Sequence, residues 1–335
     1  MKIKDLRDKI KGADREKLEK IATECYKQLS KTQKEQTDTF ILAIIEGGDQ
    51  KEIKGKNKGP AVPFEALEQE IETFLENAYA QNYVAPNRVI SKKNRPKWRF
   101  LVKGYIKSLV SIQDENENFD KSVVLLTKLY KMLCTACYYY LFSTDDAFRS
   151  IGMTQTEVFD ILVARTFQKG FTKENLSSLL LLSTSGGLSR ECLYVELEAV
   201  LVNHLKTTDL KEIAVQEALR LINETEGKIS GLKKYDSNRY GYEHSIENLS
   251  EIILMIHVGL AELEKGLDLF FKLVKSKRKE EALYVALRLM YYYGDEKDWI
   301  FTYEYAIQKK ITPNDNAKRR YKELTTKSTD DEALS

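Results

Sequence analysis

The chain has 335 residues, a formal net charge of +2, and is 42% hydrophobic and 31% charged. That mixture supplies enough apolar material for a large buried core and too little one-signed charge for a disordered polyelectrolyte. No apolar run approaches the roughly 20 residues that span a bilayer, MKIKDLRDKIKG at the start lacks the apolar stretch of a secretion signal, and Cys25, Cys134, Cys137 and Cys192 are too scattered for a disulfide framework. A cytoplasmic protein without membrane contact is expected.

Proline usage points to the fold class. There are five, Pro60, Pro63, Pro86, Pro96 and Pro313, so none interrupts the stretch from Lys97 to Thr312. Leu, Glu, Lys and Ala dominate that stretch and alternating strand patterns are scarce, which predicts an all-α protein. At the N-terminus, Ile3, Leu6 and Ile10 mark a short helix ending near Gly12. Asp14 is placed to cap a second helix to about Leu29, with Leu18, Ile21, Ala22, Cys25 and Leu29 on one stripe. Ser30 or Thr32 opens a third, with Phe40, Leu42, Ile44 and Ile45 buried before Gly47-Gly48. Residues 1–46 therefore form an N-terminal helical unit, and the Lys-, Gly- and Pro-containing segment 47–62 a linker.

The main array is expected over 63–226. Pro63 to about Asn82 is an acidic helix with Leu67, Ile71, Phe74, Leu75 and Ala78 on its inner side. Val84–Arg95 is an irregular connection, and Pro96 sits where a helix starts, because its missing N–H would be unpaired there anyway. Trp98, Leu101, Val102, Tyr105 and Leu109 then follow helical spacing on one face, which puts Arg99, Lys103 and Lys107 roughly opposite. A long, nearly all-apolar and therefore central helix runs from Asn118 or Asp120 to Phe142. A short helix begins at Ser143 and stops at Gly152. Thr154 and Glu157 form a capping box. Thr172 caps a Leu-rich helix that Gly186-Gly187 ends, and Leu188–Leu205 and Asp209–Glu226 continue the pattern across short connections. Short connections between helices imply antiparallel neighbours.

Residues 227–243, glycine-punctuated and polar, are predicted to be a loop. C-terminal helical hairpins fill 244–325, as Ser245–Leu263, Gly266–Lys275, Ala282–Tyr293, Glu296–Lys309 and Asn316–Leu324, and 326–335 should fray. The hairpin about Gly294, with Leu283, Ala286, Leu287, Met290, Trp299, Ala306 and Pro313, is similar to a tetratricopeptide-type or pentatricopeptide-type unit. One copy with imperfect spacing supports an analogy about helix pairs and assigns no family. The expected architecture is thus a set of stacked antiparallel helix pairs, solenoid-like by analogy with HEAT or tetratricopeptide superhelices, or an irregular helical array.

Charge is unevenly placed. Between Glu76 and Asp114 there is no Asp or Glu, yet Arg88, Lys92, Lys93, Arg95, Lys97, Arg99, Lys103 and Lys107 all fall there. Two readings stay open. Glu65, Glu68, Glu70, Glu72 and Glu76 of the preceding helix neutralise the segment, or the segment stays free and binds a polyanion, with Tyr83 and Phe100 as stacking candidates. A secondary site candidate in the 227–243 loop comprises Lys233, Lys234, Tyr235, Arg239 and Tyr240.

Catalytic patterns are missing. His204, His244 and His257 have no HExxH-like partner, no phosphate loop or nucleophile elbow occurs, and the pair Cys134/Cys137 reads as packed core thiols inside a helix. No cofactor or metal is expected. The expected function is a helical scaffold that binds another macromolecule, a protein partner first, through a surface with a basic patch. The alternative is a nucleic-acid-binding protein that uses Arg88–Lys107.

Overall fold

The computed structural model describes residues 10–29, 34, 37–38, 41 and 63–332. Two compact units divide the chain, Met1–Pro63 and Phe64–Ser335. In the first, helix α1 (Arg15–Lys27) starts as predicted, with the Asp14 carboxylate accepting from the Lys17 amide at 2.9 Å. Its Leu18, Ile21 and Cys25 are exposed. The predicted positions Ile3, Leu6, Phe40, Leu42, Ile44 and Ile45 and the linker 47–62 lie outside the described residues.

The second unit is all-α, built from α2 (Phe64–Tyr79), α3 (Trp98–Val110), α4 (Phe119–Tyr138), α5 (Ala147–Ile151), α6 (Gln155–Lys169), α7 (Lys173–Thr184), α8 (Tyr194–His204), α9 (Thr208–Ser230), α10 (Ser237–Val258), α11 (Leu263–Leu273), α12 (Lys279–Tyr292), α13 (Glu296–Gln308) and α14 (Asp315–Glu332). The described residues contain no strand, and none of their helices is long and apolar enough to cross a membrane. Local chemistry starts most of these helices as the sequence implies. Thr154 and Glu157 close their capping box on α6, and Thr172 caps α7. Asp146 caps α5, which ends on Gly152 in the left-handed conformation (φ +66°) that glycine adopts without strain.

Packing joins the helices as stacked pairs. α2 and α4 run parallel, because Glu72 meets Lys128 and, seven residues on, Tyr79 meets Thr135. α4 is the hub, with Leu125, Leu126, Leu129, Tyr130, Met132 and Leu133 all buried. Burying each such side chain is worth about 1.5–3 kcal/mol. Beyond it, α6, α8 and α10 lie side by side and run the same way, while α7 and α9 form a second row running opposite. The predicted central helix ends four residues early, at Tyr138. Tyr139 turns extended, and Leu141 and Phe142 enter the core as separate anchors.

Two further boundaries differ from expectation. The 227–243 loop shrinks to residues 231–236, because α9 continues to Ser230 and Asp236 caps α10 by accepting from the Asn238 amide at 2.9 Å. Helix propensity of the surrounding residues outweighs the single glycines Gly227 and Gly241, each costing only about 1 kcal/mol relative to alanine. At the other end, α14 carries its helical backbone to Glu332, through most of the segment expected to fray.

Sequence reading missed a buried acid pair. Glu198 of α8 has no exposed surface, and neither of its carboxyl oxygens has a hydrogen-bond partner. Glu251 of α10 is its buried neighbour and accepts from Arg288 of α12 at 3.4 Å. Burial, reinforced by the like charge of Glu251, holds the Glu198 carboxyl well above its ordinary range. Burial likewise pushes Glu251 up to about 7, against the opposing pull of Arg288. The folded state therefore keeps protons that the unfolded chain releases near 4.5, and folding stability falls as pH rises from there through about 7. We predict that Glu198→Gln, which cannot ionise, flattens this fall, measured as melting temperature against pH.

Candidate functional site

The cationic segment is presented by an aromatic anchor. Trp98 opens α3 after a 3₁₀ turn containing Pro96, and its ring stacks on Phe142 with centroids 3.9 Å apart and planes 10° apart. Val102, Tyr105, Ile106 and Leu109 bury along the same side, and the Tyr105 hydroxyl donates to Glu70 at 2.9 Å. At the far end, Arg165 of α6 donates to the carbonyls of Val110 (3.2 Å) and Ile112 (2.6 Å), tying down the last carbonyl groups of α3. With one side fixed at both ends, Arg99, Lys103 and Lys107 face solvent.

The loop before α3 is shaped by its own polar groups. The Asn87 side chain accepts from the Val89 and Ile90 amides at 3.1 and 3.2 Å. Arg95, half-buried, donates to the carbonyls of Ile90 (3.0 Å) and Asn87, so part of its hydrogen-bonding capacity holds the loop together. Arg88, Lys92, Lys93 and Lys97 are exposed.

The glutamate-rich helix does not neutralise this face. No carboxylate among the described residues comes within 4.0 Å of Arg88, Lys92, Lys93, Arg95, Lys97, Arg99, Lys103 or Lys107. Glu72 of α2 pairs instead with Lys128 at 2.5 Å, and Glu70 is the acceptor for Tyr105. Lys103 reaches the Gly152 carbonyl at 3.4 Å, and Arg99 lies over the Phe100 ring at 5.3 Å. Elsewhere in the unit, cations sit against acids, as in Arg149–Asp145, Arg220–Glu217, Lys277–Glu247 and Lys309–Asp268.

Beside this face is a cavity of about 240 Å³, lined by Lys92, Arg95 and Arg99 on one side and by Ser143, Thr144 and Ser150 on the other. The Thr144 and Ser150 hydroxyls bond to each other at 2.7 Å. Thr144 and Ser150 also donate to the Asp146 carbonyl at 3.0 and 2.8 Å, so the three cations and the Ser143 hydroxyl, with no carboxylate in the lining, are the groups that can hold a phosphate there.

The two stacking candidates separate. Phe100 is 68% exposed, whereas Tyr83 is 6% exposed and packs on Phe74 and Phe142 at 5.3 and 5.5 Å. Tyr83 is a core residue, since the loop after α2 turns it inward and leaves only an edge at the cavity wall. In the secondary group, Lys233, Lys234 and Tyr235 occupy the short turn before α10 and Arg239 and Tyr240 its first turn. Lys234 lies 5.6 Å from the Tyr235 ring centroid, and Arg239 pairs with Glu243 at 3.2 Å.

The titratable groups elsewhere are engaged in packing. Burial pushes the Cys134 thiol up to about 12, so it carries no thiolate at neutral pH. His257 is buried with its Nδ1 at 3.0 Å from Glu262, and burial lowers its affinity for a proton. Among the described residues no cluster of three or more His, Cys, Asp or Glu is arranged to hold a metal ion. Two aromatics of α3 should behave in opposite ways. Trp98→Ala should cost about 3–5 kcal/mol, while Phe100→Ala should stay within about 0.5 kcal/mol, both read from urea denaturation.

No protein-family model matches this chain, and no curated protein or solved structure matches it either.

Proposed function

We propose that this protein is a helical array that binds another macromolecule through the cationic face of α3 and the loop before it, and that the partner is a nucleic acid. The observation that carries this reading is that no carboxylate among the described residues lies within 4.0 Å of eight neighbouring cations, in a unit whose other cations are commonly paired. A regularly charged polymer is the partner that engages such a surface as a whole, since each neutralised phosphate releases a condensed counterion. The cavity bounded by Lys92, Arg95 and Arg99 supports the same reading, because it offers one phosphate concentrated positive charge without a carboxylate in its lining. Free cysteines among the described residues, Cys25 on the surface included, fit a reducing compartment such as the cytoplasm.

A protein partner is favoured by a different observation. Tyr284, Tyr291 and Tyr292 of α12 are exposed, and large aromatics on a surface are the side chains that anchor protein interfaces. Salt separates the two readings. A mobility-shift titration of the full chain with a nucleic acid should give log K falling against log salt with a slope of about −3 to −4, the value for roughly four engaged phosphates. Lys103→Glu and Lys107→Glu together should make that slope shallower by at least about 1 and weaken binding for all sequences alike. Binding that ignores salt, or that survives both charge reversals unchanged, rules out the cationic face as the contact.

A further inference from the structure

The two cation clusters read from the sequence lie some 130 positions apart in the chain (Lys103 to Lys233), and the helix ends between the start of α3 and the start of α10 meet one another at one end of the array. The C-terminal end of α4 meets the N-terminal ends of α6, α8 and α10 there. Gln155, at the start of α6, donates to Tyr130 of α4 at 3.3 Å and to the Gly187 carbonyl at 3.2 Å. Tyr194, at the start of α8, donates to the Gly186 carbonyl at 2.6 Å, and its ring lies 5.2 Å from His244 of α10.

Between the clusters runs a line of rings, exposed at Tyr138, Tyr139, Tyr140 and Tyr240 and half-buried at Tyr194 and His244. Next to the cavity, Phe142 is buried under Trp98, and the three residues Tyr138, Tyr139 and Tyr140 just before Leu141 all face solvent, Tyr140 at 72% exposure. Gln81 fixes the backbone there by donating to the Tyr140 carbonyl at 2.8 Å. The Tyr138 ring rests on Gly187, where a Cβ would run into both that ring and the Cys134 carbonyl, so glycine sets the seat of the ring. Tyr194 and His244 continue the line, and Tyr240, 75% exposed, is 6.1 Å from His244 and two turns of chain from Lys234. Of the bordering acids, Asp145 pairs with Arg149 and Arg190 and Glu243 with Arg239, while Asp146 is buried and accepts from Ser189.

We propose that this row is a stacking platform for the bases of a single-stranded nucleic acid, whose backbone is held by the Arg88–Lys107 face at one end and by Lys233 and Lys234 at the other. The inference rests on the nucleic-acid reading above and narrows it to single strands. A duplex hides the faces of its bases, whereas an unpaired base offers a π-face of about ring size to each tyrosine. Cations flanking rings is the arrangement that tracks a polyphosphate and stacks its bases without reading sequence.

The test uses the full chain and a fluorescein-labelled oligothymidylate, with a mixed-sequence duplex as the comparison, read by fluorescence anisotropy. Tyr140→Ala with Tyr240→Ala should weaken single-strand binding at least about fivefold for each ring lost, and leave duplex binding unchanged. Tyr140→Phe with Tyr240→Phe keeps both ring faces and should bind the single strand as the wild type does. Both positions are exposed, so circular dichroism and melting temperature should match the wild type in every variant. Single-strand binding untouched by the alanine pair, with the salt slope intact, overturns the platform alone and leaves the tyrosines to a protein contact. Failure of the wild type to bind any nucleic acid in a salt-sensitive way overturns both readings.

Discussion

The stacking of Trp98 on Phe142 is the contact on which the functional surface depends. It fixes α3 in rotation, so a helix with a strongly basic exterior has no freedom to turn its lysines toward the acids of α2. It also pulls the chain beyond α4 into the core at Leu141 and Phe142, which leaves Tyr138, Tyr139 and Tyr140 on the outside just before the plunge. One aromatic pair thus sets the aim of the cations and the position of the rings. Its geometry is offset by little, and burial of two large ring systems supplies the energy that a charge-poor interface between α3 and α4 needs.

The charges themselves contribute little to folding, and this explains why the face can stay unpaired. Two like charges 10 Å apart in water repel by about 0.4 kcal/mol, and physiological salt screens beyond about 8 Å. A cluster of exposed cations therefore costs the fold a modest amount that the hydrophobic core absorbs. Had Glu72 paired with the basic segment instead of Lys128, the gain would also have been small. Stability is nearly indifferent to this choice, whereas binding of a polyanion is not, because every phosphate contact adds its counterion release to the sum.

What was legible in the sequence follows from the range of the interactions involved. The all-α class, the Thr154–Glu157 box, the Thr172 cap and the buried stripe of α3 depend on neighbours within a turn or two, and spacing alone carries them. The 227–243 loop was overdrawn because single glycines and charged residues mark both loops and solvent-facing helix ends. Tyr83 was misplaced because the direction of a loop side chain is set by tertiary packing, here against Phe74 and Phe142. The meeting of the helix ends between the two cation clusters needs the order in which helices pack, which no local pattern encodes. The tyrosine row left a faint trace, three consecutive rings closing an apolar helix where a core needs none of them exposed. Glu198 left one too, as an acid on the stripe of Val195, Leu201 and Val202.

The buried acids and some of the rings belong to the same pair of helices. Glu198 lies one turn along α8 from Tyr194, and Glu251 two turns along α10 from His244, on the parallel seam between those helices. For α8 and α10 to pack closely, the Glu198 carboxyl must stay neutral, since an unpaired charge with no hydrogen-bond partner would draw water into the seam. Tyr194 and His244 thus flank the same seam that buries the two acids. An apolar residue at position 198 would pack the seam without that requirement, so the acid ties close packing of α8 on α10 to a neutral carboxyl.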